Sequence, residues 1–205
     1  MKQWVWMVAL VGACTASQAQ TVAPSPWRFF AGGGMASGGD TIFSGTITTD
    51  GTTQVVPFQV TPGGPKFRLG GDYRLGERIT VQGSVGMSTS DPMGYNGSLT
   101  FANNPVELLV FANLTDALRA GLGVRQSFAR MAATGKVESW PGVGRYESNA
   151  AGVAEVQYLF STDDSKPAHS RPQFGLSVRG VNETFTHHSE SFSGNHYELG
   201  LVLYY

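Results

Sequence analysis

The chain has 205 residues, 27 of them glycine, with 14% charged residues and a formal net charge of -1. Glycine at that frequency argues against a helical bundle, since each Gly inside a helix costs about 1 kcal/mol relative to Ala. The near-neutral charge and the lack of a basic run exclude the usual electrostatic footprint of a nucleic-acid binder, and the length suits one domain.

In chain order, the first segment reads as a processing signal. Lys2 precedes the apolar stretch Trp4–Ala13, which is too short to cross a bilayer as a helix. Ser17 and Ala19 then place small residues at the two key positions of a leader-peptidase site. The expectation is a signal peptide over residues 1–19 and one β-barrel domain over residues 20–205. Val11–Cys14 also fits the loose pattern before a lipidated cysteine, but cleavage there leaves a short leader. If Cys14, the single cysteine, departs with the leader, the exported domain has no disulfide. No later apolar run has the length of a transmembrane helix.

After residue 20, two-residue alternation dominates, the period of a strand with two different faces. Eight strands are predicted, near Trp27–Ala36, Lys66–Leu75, Arg78–Met87, Asn104–Ala112, Leu118–Met131, Ala150–Phe160, Pro172–Asn182 and Gly194–Tyr205. In the first, Trp27, Phe29, Ala31, Gly33 and Met35 oppose Arg28. The second sets Phe67, Leu69, Gly71, Tyr73 and Leu75 against Lys66, Arg68, Asp72 and Arg74. The third sets Ile79, Val81, Gly83, Val85 and Met87 against Thr80, Gln82 and Ser84. In the fourth, Val106, Leu108, Val110 and Ala112 oppose Glu107. The fifth sets Leu118, Ala120, Leu122, Val124 and Phe128 against Arg119, Arg125 and Ser127, with Gln126 as a polar intrusion on the apolar side. The sixth sets Ala154, Val156, Tyr158 and Phe160 against Glu155 and Gln157. The seventh sets Phe174, Leu176 and Val178 against Gln173, Ser177 and Arg179. The last is the decapeptide "HYELGLVLYY", where Tyr197, Leu199, Leu201, Leu203 and Tyr205 oppose His196 and Glu198.

Alternation alone also describes a soluble β-sandwich. Three features favour a transmembrane barrel. The polar faces carry Arg and carboxylates together, which can pair inside a narrow barrel. Gly and Ala are frequent within the strands, as tight curvature requires. The connections alternate in length: Leu75–Arg78 and Asn113–Ala117 are short, whereas Ser37–Pro65, Ser88–Asn103, Ala132–Asn149 and Glu183–Ser193 are long, the pattern of membrane barrels. Ser161–Arg171 is longer than that rule wants. Lipid admits no open sheet edge, so the last strand must close on the first. The expected fold is an all-β, eight-stranded antiparallel up-and-down barrel. Ten strands remain an alternative if the hairpin Thr41–Val60, turning at "TDGT", enters the membrane. Its short arms and Pro57 favour a place outside.

The ending resembles the carboxy-terminal signature of bacterial outer-membrane barrels, carried by Tyr197, Leu199, Leu201, Leu203 and Tyr205. With "GGDYRL", "NPVELLVF" and "EVQYLF", the chain is similar to the small barrels of the OmpW, OmpX and OmpA-domain type. That resemblance implies the outer membrane as location. It implies membrane lipid, lipopolysaccharide and the barrel-assembly machinery as partners, the last reading the carboxy-terminal signature. It implies a structural role, or passage of small, including hydrophobic, solutes. No cofactor and no metal are expected.

Three candidate sites follow. The inward charges Arg28, Arg68, Asp72, Arg74, Glu107, Arg119, Arg125, Glu155, Arg179 and Glu198 read as an interior ion-pair network or as the lining of an anion pore. Eight strands leave space for side chains but not for a water channel, which favours the filled barrel. "HHSES", His187–Ser191, has the residue types of nucleophilic hydrolysis. Its His187 and Ser189 have the His-x-Ser spacing of lipid A deacylases, but Glu190 stands where that group has Asn. A lipid A-modifying hydrolase is therefore the alternative function. His187, His188, Glu190 and His196 have no distinctive metal-ligand spacing. Apolar residues of the long connections (Ile42, Phe43, Val55, Val56, Phe58, Met93, Tyr95, Phe101, Trp140 and Val143) either line a way in for hydrophobic molecules or pack on one another above the membrane.

Overall fold

Eight long strands form where the alternation is strongest: β1 Trp27–Gly38, β2 Gly64–Arg74, β3 Ile79–Ser90, β4 Gly97–Asn113, β5 Leu118–Ala133, β6 Ala151–Ser161, β7 Gln173–Asn182 and β8 His196–Tyr204. The computed structural model describes residues 25–48, 55–60, 63–91, 93–94, 97–135, 142–161 and 172–205. The expected signal peptide over residues 1–19, Tyr95, Trp140 and most of the Ser161–Arg171 connection lie outside the described residues.

Each long strand is antiparallel to its sequence neighbours, and β8 pairs with β1, so the sheet closes into an eight-stranded barrel. The closing seam runs from Phe30↔Tyr204 to Gly38↔His196. It is extended by reciprocal backbone bonds between Phe29 and Tyr205, at 3.1 and 2.9 Å. The patterned carboxy terminus is therefore a wall of the barrel with a neighbour on each side.

The wall is inside-out relative to a water-soluble protein. Phe29, Leu69, Leu122 and Leu199 are 68, 62, 71 and 63% exposed on the outer face, whereas Asp72, Gln82 and Gln157 are fully enclosed. Gln126 points outward as expected. Its amide donates to the Ser148 carbonyl at 3.0 Å and to the Ser148 hydroxyl at 2.9 Å, which meets its polar demand.

The end carrying both strand termini, here the base, has the tight connections. At Leu75–Arg78 the Leu75 N–H donates to the Ile79 carbonyl at 2.9 Å, and Gly76 takes φ +138°, a conformation that L side chains rarely adopt. At the second turn, the Thr115 hydroxyl accepts from the Ala117 and Leu118 N–H groups at 3.2 and 2.9 Å.

The opposite end, the crown, rises above the ring. The upper part of β5 continues sideways through three short strands: Gly144–Ser148, Thr184–His187 and Glu190–Ser193. The last is tied to the connection after β1, where the Asp40 N–H donates to the Ser193 carbonyl and the Ser193 N–H to the Asp40 carboxylate, at 2.7 and 2.8 Å. Inside the crown, Ile42, Leu99, Phe101, Ala129, Met131, Tyr146 and Phe185 form an apolar cluster. Ile42 and Phe101, read from the sequence as connection residues, pack here. Among the described residues, strands Phe43–Thr48 and Val55–Val60 pair only with each other and stay out of the ring. The ring has eight strands, and the ten-strand alternative is not realised.

Candidate functional site

The interior is built from the inward faces, and strand register decides which charges meet. Opposite-sign and charge–amide pairs sit directly across neighbouring strands, among them Arg28↔Asp72, Asp72↔Gln82, Glu107↔Arg125, Glu155↔Arg179 and Arg119↔Gln157. Such directly opposed pairs are favourable contacts within a sheet. Arg179 also stands opposite Glu198 on β8.

Contacts across the lumen bind these pairs into two tiers. In the upper tier, Arg179 reaches Glu107 and Glu198 at 2.6 Å each and Glu155 at 3.1 Å. Arg68 grips Glu155 through two nitrogens at 2.5 and 2.8 Å, the two-pronged geometry in which a guanidinium matches a carboxylate. Arg125 lies 3.3 Å from both Glu107 and Glu198 and 3.7 Å from Glu183. Lys66 is 3.7 Å from Glu198. His196 is held between the Gly194 carbonyl at 2.6 Å and the Glu198 carboxylate at 2.9 Å.

In the lower tier, Asp72 receives Arg28 at 3.1 Å, Arg119 at 2.7 Å and the Gln82 amide at 2.7 Å. Tyr204 stands at its centre. Its hydroxyl accepts from Gln82 at 3.0 Å and from Arg119, and it donates to Gln157 at 2.9 Å. The Arg28 and Arg119 guanidinium carbons lie 4.1 and 4.7 Å from its ring centre, within range of a cation–π attraction. Gln157 joins the tiers, because its amide also donates to Glu155 at 2.5 Å.

Nine of the ten residues expected inside meet in this way: Arg28, Arg68, Asp72, Glu107, Arg119, Arg125, Glu155, Arg179 and Glu198. Arg74 departs from that expectation. As the last residue of β2 it lies at the base, where its side chain donates to the Gly76 and Glu77 carbonyls at 2.7 and 3.0 Å. Those turn carbonyls lack strand partners, and Arg74 is long enough to reach them. Lys66, Glu183, Tyr204 and the interior glutamines Gln82, Gln157 and Gln173 were not assigned to the network from sequence. All were accessible by parity: Lys66 shares the Arg68 side, Glu183 the Arg179 side and Tyr204 the Glu198 side.

The inward faces are also less polar than their charges suggest. Phe30, Leu159 and Val202 gather around Tyr204, and Leu109, Phe111, Ala151, Val153 and Val181 fill another part of the lumen.

The "HHSES" segment belongs to the crown. His187 and Glu190 are opposed at the tip of the Thr184–Ser193 hairpin, and His188 takes φ 54° in the turn. The His187 ring stacks on Tyr146 at 4.5 Å, and its Nδ1 lies 2.8 Å from the Arg145 carbonyl. The Tyr146 hydroxyl donates to the Gly142 carbonyl at 2.9 Å. Burial, with the Glu190 carboxylate adding to it, pushes its phenol up to about 12, so it remains a neutral donor. Among the described residues, no group of three or more His, Cys, Asp and Glu side chains is placed to hold a metal ion.

No family model and no curated protein sequence matches the chain. Among solved structures, the chain is similar to Ail, the attachment invasion locus protein of Yersinia pestis, solved in complex with the heparin analogue sucrose octasulfate. The likeness covers 87% of this chain and 99% of that one, at 13% identity and a TM-score of 0.46. It is also similar to the outer membrane protein OprG from Pseudomonas aeruginosa, over 89% of this chain and 97% of that one, at 11% identity and a TM-score of 0.44.

Proposed function

We propose that the protein is a closed, non-enzymatic barrel of the bacterial outer membrane. It serves as a structural element that presents its crown outside the cell, and its lumen is not an open channel. The observation that carries this reading is the double closure of the lumen: the two-tier ion-pair network within the membrane and the apolar cluster of the crown above it. An eight-stranded barrel has an interior just wide enough for its own side chains. The exposed apolar outer face supports a lipid setting, since so large an apolar surface is unusual on a soluble monomer. Trp27, Tyr73 and Tyr205 near the base suit an aromatic girdle of such barrels, and the two tight turns at that end support a periplasmic base. Partners in this reading are outer-membrane lipid, lipopolysaccharide around the outer leaflet and the barrel-assembly machinery.

Planar-bilayer recording of the refolded full chain tests the closed lumen. The expected result is a flat current trace at applied voltage. Steady unitary steps in the unmodified protein would overturn the reading in favour of a pore.

The carboxy terminus carries a separate expectation. Deleting Tyr205 removes the two backbone bonds to Phe29 and the final aromatic of the signature. Membrane-inserted protein should fall severalfold in cells, measured by fractionation. Normal insertion of the truncated chain would contradict the role given to this residue.

A further inference from the structure

The base of the barrel opens into a vestibule of about 200 Å³. Arg28 and Arg119 are among the residues that line it, together with Arg74, Thr80 and Asn113. Among the described residues, the lower tier is out of balance in charge: Arg28 and Arg119, both nearly inaccessible, share the carboxylate of Asp72. The other lower-tier partners, Gln82, Gln157, Gln173 and Tyr204, are neutral. The upper tier differs, because its Lys66, Arg68, Arg125 and Arg179 face the equal number of carboxylates Glu107, Glu155, Glu183 and Glu198. Arginine cannot shed its proton to relieve such an imbalance. A buried charge without a counter-charge is costly. The Arg28 Nε is itself buried and has no hydrogen-bond partner among the described residues. The tier with one more cation than carboxylate thus borders the vestibule.

We propose that this vestibule is a binding site for one small soluble oxyanion, of the phosphate or carboxylate class, held by Arg28 and Arg119 as counter-ion to the lower tier. Guanidinium groups suit oxyanions because their N–H donors match two oxygens at once. The rim also carries two carboxylates, Glu77 and Asp116, both exposed. They oppose anion approach from outside and are screened by salt, so they set the affinity without removing the buried surplus. The site does not depend on the lumen being closed or on the membrane in which the barrel sits.

Calorimetric titration of the full chain in non-ionic detergent, at constant ionic strength, tests the proposal with inorganic phosphate as probe. Saturable binding of one phosphate per chain is expected. Arg28→Gln should weaken it by about tenfold or more, the loss expected for a charge-assisted hydrogen bond. Glu77→Gln, at the exposed rim, should strengthen it and leaves the interior intact, so the test survives if the Arg28 variant does not fold. Arg130→Gln in the crown should have no effect. A short-chain phosphatidylglycerol serves as a second probe. Three outcomes each overturn the proposal: no saturable phosphate binding, binding that ignores Glu77→Gln but falls with Arg130→Gln, or binding of the lipid headgroup alone.

Discussion

Replacing Arg179 with Ala is expected to destabilise the folded barrel by about 3–5 kcal/mol, the range for removing one partner of a buried ion pair. Arg179 is the hub of the upper tier, with Glu107, Glu198 and Glu155 all within 3.1 Å. Its loss leaves three carboxylates close together in a lumen that water barely reaches. Glu155→Gln should cost less, because Glu107 and Glu198 still hold Arg179, although Arg68 loses its two-pronged partner. Arg74→Ala, which releases only turn carbonyls at the base, should change stability by no more than about 0.5 kcal/mol. Urea unfolding of the three variants in lipid vesicles, followed by tryptophan fluorescence, measures the ranking. Equal effects at positions 179 and 74 would mean that the interior network does not hold the barrel together.

The second large effect concerns the wall. Gly70→Ala should prevent stable folding, with a loss above about 4 kcal/mol, in the exceptional range for a single substitution. A Cβ at Gly70 would lie 2.2 Å from the Gly83 carbonyl oxygen, 2.6 Å from the Phe30 ring and 2.8 Å from the Ser84 Cβ. A backbone oxygen of the neighbouring strand cannot rotate aside, so β2 and β3 would have to separate. Gly123 meets the Leu108 carbonyl oxygen at the same 2.2 Å and should behave alike. Gly83 and Gly152 form the contrast, since a Cβ there would meet nothing within 4 Å. Alanine at either should be tolerated and should stabilise by about 0.4–1 kcal/mol, by restricting the unfolded chain. The fraction of each variant that keeps its folded mobility on an unheated gel reports the outcome. A folded Gly70→Ala barrel of normal heat resistance would contradict the close approach of β2 and β3.

The strands and their faces were readable because the alternation period is also the structural period. Every long strand was placed within a few residues, apart from β4, whose upper part begins at Gly97 rather than near Asn104. That upper part carries Leu99 and Phe101 inward to the crown cluster, so its alternation continues above the ring with an apolar interior. A reading that assigns polar residues to the inside stops where the inside turns apolar. The three short crown strands were missed because each has only four or five residues, too few for a period to be counted.

The candidate site was legible by parity and no further. Alternation puts Glu155 and Arg179 on inward faces, and register then places them opposite each other. It does not say that Arg68 crosses the lumen to Glu155, nor that Arg119 crosses to Asp72. Those contacts depend on barrel closure and on interior glycines that give long side chains room. A Cβ at Gly32, for example, would touch the Arg68 side chain at 3.0 Å. Tyr204 was passed over for a related reason. Beside Tyr205 it reads as one more terminal aromatic, yet the two rings point to opposite sides of the wall, one fully enclosed and one fully open.

The central claim is a closed barrel with lipid outside and a packed polar interior, ended by β8. Nitroxide scanning along residues 196–204, one cysteine substitution at a time in reconstituted vesicles, tests it most directly. Collision with dissolved oxygen, which concentrates in the bilayer, should alternate with period two and peak at Tyr197, Leu199, Leu201 and Leu203. Collision with a water-soluble nickel complex should stay low at those positions. High nickel access at the same four positions, or no alternation at all, would contradict the account.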